Sequence, residues 1–158
     1  MSKCLVTGTI DPPTRGHEAL IEDALGAFEE TAVAILVNPE KETMFSVEER
    51  LEMLKSAFGD KIEAFFYDGM AVDAAEKVGA ALLVRGIRGA EDLAYEREMA
   101  AYNRAHGKET VFFFAEEDLA DVNSTAAREA ILRGENAEKY LSENVAALVA
   151  RYGRKKNG

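Results

Sequence analysis

The sequence predicts an α/β fold: a single doubly wound domain of about five parallel strands flanked by helices. Three observations predict it. Short β-rich runs alternate with helix-patterned segments from end to end, the order that builds right-handed βαβ crossovers. The run 32–37 (AVAILV) shows no polar alternation, as a strand covered on both faces requires. No Pro/Gly-rich linker, repeat or low-complexity segment divides the 158 residues, so 1–158 reads as one domain.

The elements follow in order. Cys4 to Thr7 is a buried first strand and Gly16 to Phe28 the first helix. Ala32 to Val37 is the second strand. Ser46, with Glu49 three residues later, forms a capping box for a helix to about Phe58. Ile62 to Tyr67 is the third strand, followed by a helix over about Met70 to Val78 and a fourth strand at Ala81 to Val84. A long helix from about Ala90 to Arg104 ends at the His106–Gly107 turn. Val111 to Phe114 is the fifth strand. A helix from about Ser124 to Leu132 is stopped by Gly134, and Ala137 to Tyr152 makes the last helix, with a frayed tail at 154–156.

Composition narrows the function. Hydrophobic residues at 47% and charged residues at 30% are those of a globular domain. No apolar run approaches the ~20 residues that span a bilayer, and no signal peptide is visible, so a cytoplasmic location is expected. The single Cys4 excludes an intrachain disulfide, and no Cys/His cluster has metal-ligand spacing. A net charge of −10 argues against binding nucleic acid through a broad basic surface. Phosphate binding must then rest on a few placed cations and backbone amides.

In doubly wound sheets ligands bind beyond the carboxyl ends of the strands, near the point where strand order reverses. Four segments fall there. The first, Gly8-Thr9-Ile10-Asp11-Pro12-Pro13-Thr14-Arg15-Gly16-His17, ends at a helix start, where free N–H groups favour an anion. Thr9 and His17 offer side-chain donors, although His17 could equally cap or pack. The motif has neither the Gly-Lys-Ser/Thr of a P-loop nor the glycine spacing of a dinucleotide fold. After the second strand, Lys41 is either a phosphate ligand or a solvated charge. After the fourth, Arg85-Gly86-Ile87-Arg88 brings two arginines suited to bidentate phosphate contacts, or to pairing with Glu91 and Asp92. Glu96, on the face shared by Arg88 and Asp92, could reach a ribose hydroxyl or balance Arg88. After the fifth, Asn123-Ser124-Thr125 opens a helix with Arg128 one turn on, and its hydroxyls serve phosphate or cap the helix.

Read together, these segments resemble the HxGH-type nucleotidyltransferases, and most closely the bacterial phosphopantetheine adenylyltransferases. The motif is Thr14-Arg15-Gly16-His17, with Thr where other branches carry His. Arg85 to Arg88, Asp92, Tyr95-Glu96, Asn103-Arg104, Asn123-Ser124-Thr125 and Glu143-Asn144-Val145 extend the resemblance over nearly the whole chain. It implies adenylyl transfer from ATP to 4′-phosphopantetheine, giving dephospho-CoA and pyrophosphate. His17 would stabilise charge on the transferred phosphate, with Lys41 and Arg88 as further catalytic cations. Thr9, Lys41, Met70 and Arg85 would hold the acceptor. ATP would lie on Thr9, Ile10, His17, Gly86, Ile87, Arg88, Glu96, Leu119, Ala120, Asp121, Val122, Asn123, Ser124 and Thr125.

The resemblance also implies Mg²⁺ carried on the triphosphate, a homohexamer, and feedback binding of coenzyme A. The sequence departs from the pattern at Thr7, Ile10, Leu119 and Asn123, where the family often has Pro, Phe, an aromatic and Ser. The loop Glu116 to Asp121 is unusually acidic for a neighbour of triphosphate, and is expected to stay away from the phosphates or to close only around Mg²⁺. The rival readings are a relative that uses nicotinamide mononucleotide or glycerol phosphate as acceptor, and a non-catalytic nucleotide-binding module.

Overall fold

The computed structural model describes residues 2–156. It contains five parallel strands: β1 (Lys3–Gly8), β2 (Glu30–Val37), β3 (Glu63–Asp68), β4 (Leu82–Ile87) and β5 (Glu109–Phe114). Their order across the sheet is β3-β2-β1-β4-β5, so the direction of winding reverses between β1 and β4. Six α-helices connect or follow them: α1 (Arg15–Ala27), α2 (Val47–Phe58), α3 (Ala71–Val78), α4 (Ala90–Ala105), α5 (Ser124–Leu132) and α6 (Glu143–Lys156).

Strand alternation sorts the core into two faces. Cys4, Val6, Val33, Ile35 and Val84 pack beneath Ile21 and Ala24 of α1 and Leu54 and Phe58 of α2. Leu5, Ala32, Ala34 and Leu83 point the other way, against Val72, Ala74 and Ala75 of α3. A third cluster joins Phe45 and Met53 to Ala127 of α5 and Val145, Val149 and Tyr152 of α6. That places Leu141, Val145 and Val149 in the core, with Leu148 partly buried against them.

Two boundaries differ from those the sequence suggested. β4 does not stop at Val84: Arg85, Gly86 and Ile87 continue in register with Phe112, Phe113 and Phe114. The neighbouring strand offers backbone partners that a reading of single residues cannot weigh. The last helix begins at Glu143, not Ala137, and runs through Lys156 rather than ending at Tyr152. Residues 137–142 instead turn and dock on the start of α1. The Tyr140 carbonyl accepts from the Arg15 amide at 2.7 Å, and the Lys139 carbonyl from Arg15 Nη1 at 2.9 Å. The Ser142 hydroxyl donates to Glu18 at 2.7 Å. These tertiary bonds take carbonyls that a longer helix would have used.

Candidate active site

The loops leaving β1, β2, β4 and β5 open into one cavity of about 1020 Å³ at the carboxyl edge of the sheet, over the switch point. That is room for two ligands of moderate size. Its floor is the β1–α1 loop and the N-terminus of α1.

Thr14 is the N-cap of α1, and its Oγ1 accepts from the His17 amide at 3.3 Å. In return His17 Nδ1 accepts from the Thr14 amide at 3.0 Å and lies 3.0 Å from Thr14 Oγ1. The motif is thus a capping box with His in the position usual for Glu or Gln. An N–H pointing at Nδ1 forces any ring proton of neutral His17 onto Nε2. Burial, with Arg85 and then Arg88 nearby, lowers the His17 pKa to about 4. At neutral pH the cavity therefore receives an uncharged, fixed N–H donor at a helix N-terminus. Capping and donation, posed as alternatives by the sequence, are carried by opposite sides of one ring.

Gly16 is required by close packing. A Cβ there would sit 2.9 Å from the Val122 carbonyl oxygen, in the wall before α5. Gly26, in the same helix, has nothing within 4 Å of such a Cβ. Gly16→Ala is expected to lower stability by ~1–3 kcal/mol through overpacking against backbone, while Gly26→Ala gains up to ~1 kcal/mol. Urea unfolding of the pair checks this; equal stabilisation by both would remove the close-packing role of Gly16.

The β1–α1 loop is held from several sides. Ile10 has φ of +53°, a strained conformation for a β-branched residue, and is itself buried. Arg50 Nη1 donates to the Thr9 carbonyl at 2.8 Å and Arg128 Nη1 to the Asp11 carbonyl at 2.7 Å. The Ser124 hydroxyl donates to the Pro12 carbonyl at 2.9 Å. Ser124 and Arg128 therefore tie α5 to this loop, and with its one hydroxyl proton given to Pro12 the Ser124 side chain has none left to donate to a phosphate. Asn123 caps α5 by accepting from the Ala126 amide at 2.8 Å.

On the other wall, Arg85 makes a bidentate pair with Glu96, at 2.9 Å from Nε to Oε1 and 2.7 Å from Nη2 to Oε2. Its Nη1 donates to the Thr7 carbonyl at 2.8 Å. The Glu96 hydrogen bonds hold the Arg85 pKa above its ordinary value, outweighing burial. One N–H on each terminal nitrogen remains for a substrate phosphate. Glu96 thus balances Arg85, not Arg88; Arg88 pairs instead with Asp92, 3.4 Å from Nε to Oδ2. Lys41, on an exposed loop, lines the cavity with no ion-pair partner among the described residues.

Of the residues singled out by sequence, Thr9, Ile10, His17, Lys41, Arg85, Gly86, Arg88, Glu96, Leu119, Val122, Asn123, Ser124 and Thr125 line this cavity. Four do not. Ile87 is a buried strand residue, and Met70 is the exposed N-cap of α3. Ala120 and Asp121 also stand outside the wall, and Asp121 pairs with Lys139 at 2.6 Å. Of the acidic loop, Glu116 reaches the cavity while Glu117, Asp118 and Asp121 do not. Sequence reading gave no role to Asp11 or Arg50, both buried supports of the loop. Arg50 carried no local signal, since a helical arginine looks solvated until the fold brings Thr9 beneath it.

Residues 5–130 match the cytidylyltransferase-like family. The chain is 36% identical over 148 residues to a phosphopantetheine adenylyltransferase of Bacteroides thetaiotaomicron, covering 92% of this chain and 98% of that one. It is 38% identical over 142 residues to the enzyme so named from Porphyromonas gingivalis, covering 88% and 93%. A putative nicotinate-nucleotide adenylyltransferase from Vibrio parahaemolyticus superposes with a TM-score of 0.72 at 16% identity, covering 100% and 98% of the two chains. At that identity it speaks to the fold alone. With the nucleotidyltransferase architecture, the Thr-x-Gly-His capping box and these full-length relatives in agreement, the chain belongs to the phosphopantetheine adenylyltransferases, within the cytidylyltransferase-like family.

Proposed function

We infer that this chain transfers the adenylyl group of ATP to 4′-phosphopantetheine, forming dephospho-CoA and pyrophosphate in coenzyme A biosynthesis. The observation that carries this reading is the convergence on one cavity of Thr9 after β1, His17 at the start of α1, Lys41 after β2, and Arg85 and Arg88 at the end of β4. Relatives bearing that name over nearly their full lengths support it.

The chemistry matches the residues. The nucleophile is a phosphate oxygen of the acceptor, already anionic because its second pKa is near ~6. It attacks the α-phosphorus of ATP, a P–O bond forms, and the bond to the β-phosphate oxygen breaks to release pyrophosphate. No general base is needed. What remains is to align two anions and stabilise charge on the α-phosphate. The fixed Nε2–H of His17, at the head of α1, supplies a donor without a proton-transfer step. Lys41 and Arg85 are assigned to the acceptor phosphate and Arg88 to the triphosphate.

Mg²⁺ is proposed to enter on the triphosphate. Among the described residues no three His, Cys, Asp or Glu side chains group together as a metal site. The buried wall carboxylates are engaged, Asp11 by backbone amides and Glu96 by Arg85. No side chain is therefore assigned to the metal. Feedback binding of coenzyme A would use the same cavity, since it shares the acceptor's pantetheine arm. A homohexamer is proposed as the assembly, and the exposed Leu93 and Tyr102, both outside the cavity wall, supply apolar surface for contacts between copies. A light-scattering mass of one protomer would contradict it. A cytoplasmic location is proposed too: no helix among the described residues is long and apolar enough to cross a membrane, and Cys4 is a free buried thiol.

Acceptor choice is tested by pyrophosphate release from ATP and Mg²⁺ with 4′-phosphopantetheine, nicotinamide mononucleotide or glycerol phosphate. Release with phosphopantetheine alone is expected. Release only with another acceptor would move the chain to a different branch, and release with none would favour a binding module.

A further inference from the structure

Besides Arg85 on β4, two loops bear groups expected to hold the acceptor: the loop after β1 with Thr9, and the loop after β2 with Lys41. Nothing in their sequences holds them together, and the Lys41 loop is exposed at residues 38–42. Beneath them lie two buried charged side chains, Asp11 and Arg50, each 3% exposed.

The Asp11 carboxylate, from the first loop, accepts the amides of the second: Met44 N–H at 2.7 Å on Oδ2 and Phe45 N–H at 2.9 Å on Oδ1. Arg50, from α2, reaches both. Its Nη1 donates to the Thr9 carbonyl at 2.8 Å, its Nε to the Phe45 carbonyl at 3.1 Å, and its Nη2 to Thr43 Oγ1 at 3.5 Å. Thr43 Oγ1 donates in turn to the Phe45 carbonyl at 2.8 Å. The strained Ile10 lies between the two attachment points, Thr9 and Asp11.

Buried charged groups are costly to keep, and a helix–loop contact of this kind could be made by apolar side chains at less cost. What apolar packing cannot do is fix the direction of backbone groups. We propose that Asp11 and Arg50 are positioning residues. They lock the β1 and β2 loops into one register and so set the separation of Thr9 and Lys41 at the acceptor phosphate. The proposal deepens the adenylyl-transfer reading and rests on it. ATP, held mainly by the β4 and β5 loops and the start of α5, is affected much less.

Steady-state kinetics on the full chain test this, with wild type run in parallel. Arg50→Met is expected to raise KM for 4′-phosphopantetheine at least ~10-fold, with KM for ATP changed less than ~3-fold, as loss of one positioned phosphate cation would. Arg50→Lys, which keeps the charge and one donor, is expected to recover part of that loss. In the Arg50→Met background, adding Lys41→Ala should cost much less than it does in wild type, because Lys41 is already misplaced. Asp11→Asn, which keeps one acceptor oxygen, provides a second variant should Arg50→Met fail to fold, with the same split between the two KM values.

Equal rises in both KM values, or full additivity with Lys41→Ala, would overturn the positioning role and leave Asp11 and Arg50 as stabilising groups only. Absence of wild-type turnover with ATP and phosphopantetheine would instead remove the reading on which the proposal rests.

Discussion

Replacing His17 with alanine is expected to lower kcat by ~10²-fold or more, with KM for either substrate little changed. The donor is aimed at charge that develops only as the α-phosphate is transferred, so its loss falls on the transition state. Stability also drops by about 1 kcal/mol, because the Thr14 amide loses its acceptor. The two effects separate in His17→Gln. Glutamine is a native partner in capping boxes, so this variant is expected to melt near wild type at pH 7 while kcat stays roughly as low as in the alanine variant. Unchanged turnover in both variants would take His17 out of the chemistry.

The same histidine sets a pH dependence with a definite sign. Its folded pKa, about 4, is below the ordinary value of 6.5, so between these limits the unfolded chain binds the extra proton. Its contribution to stability is complete above pH 6.5 and is lost as pH falls toward 4. In that window thermal melts of wild type should fall more steeply than those of His17→Gln. The kcat/KM profile, which reports the free enzyme, should show no ionisation of His17 between pH 5.5 and 8.

Arg85→Ala is expected to have the largest effect on stability, about 3 kcal/mol, and to raise KM for phosphopantetheine ~10-fold or more. The reason is the asymmetry of the pair. Glu96 is only 7% exposed at its side chain, whereas Arg85 is 32% exposed. Removing Arg85 leaves a carboxylate stranded inside the wall and the Thr7 carbonyl without its partner. Glu96→Gln is milder, about 1–2 kcal/mol, since Arg85 keeps the Thr7 carbonyl and some access to water. Arg85→Met combined with Glu96→Leu should recover much of the stability without the activity. Chemical unfolding of these variants checks the order; a costlier Glu96→Gln would mean that the wall depends on the carboxylate for some other contact.

How far the sequence revealed this molecule depends on the range of the interaction. The β-rich runs and the Ser46–Glu49 capping box are local, and α2 and the parallel sheet follow from them. The placement of Thr9, Lys41, Arg85 and Ser124 at one sheet edge followed from topology, which sums many local signals. What escaped was set by partners distant in sequence. Arg50 meets Thr9 across 41 positions, and Arg128 meets Asp11 across 117. The stretch 137–142 reads as helix by its own residues, but the amide and guanidinium of Arg15 claim its carbonyls. The pairing of Arg85 with Glu96 depended on β4 running past Val84, which was decided by β5 alongside it.

Adenylyl transfer breaks one bond, that between the α-phosphorus of ATP and the β-phosphate oxygen. ATP labelled at the α-phosphorus, incubated with 4′-phosphopantetheine, Mg²⁺ and the protein, reads this directly. The label is expected in dephospho-CoA, with unlabelled pyrophosphate released in equal amount. Label left in AMP or ADP, with phosphate or pyrophosphate carried onto the acceptor instead, would contradict adenylyl transfer in this cavity.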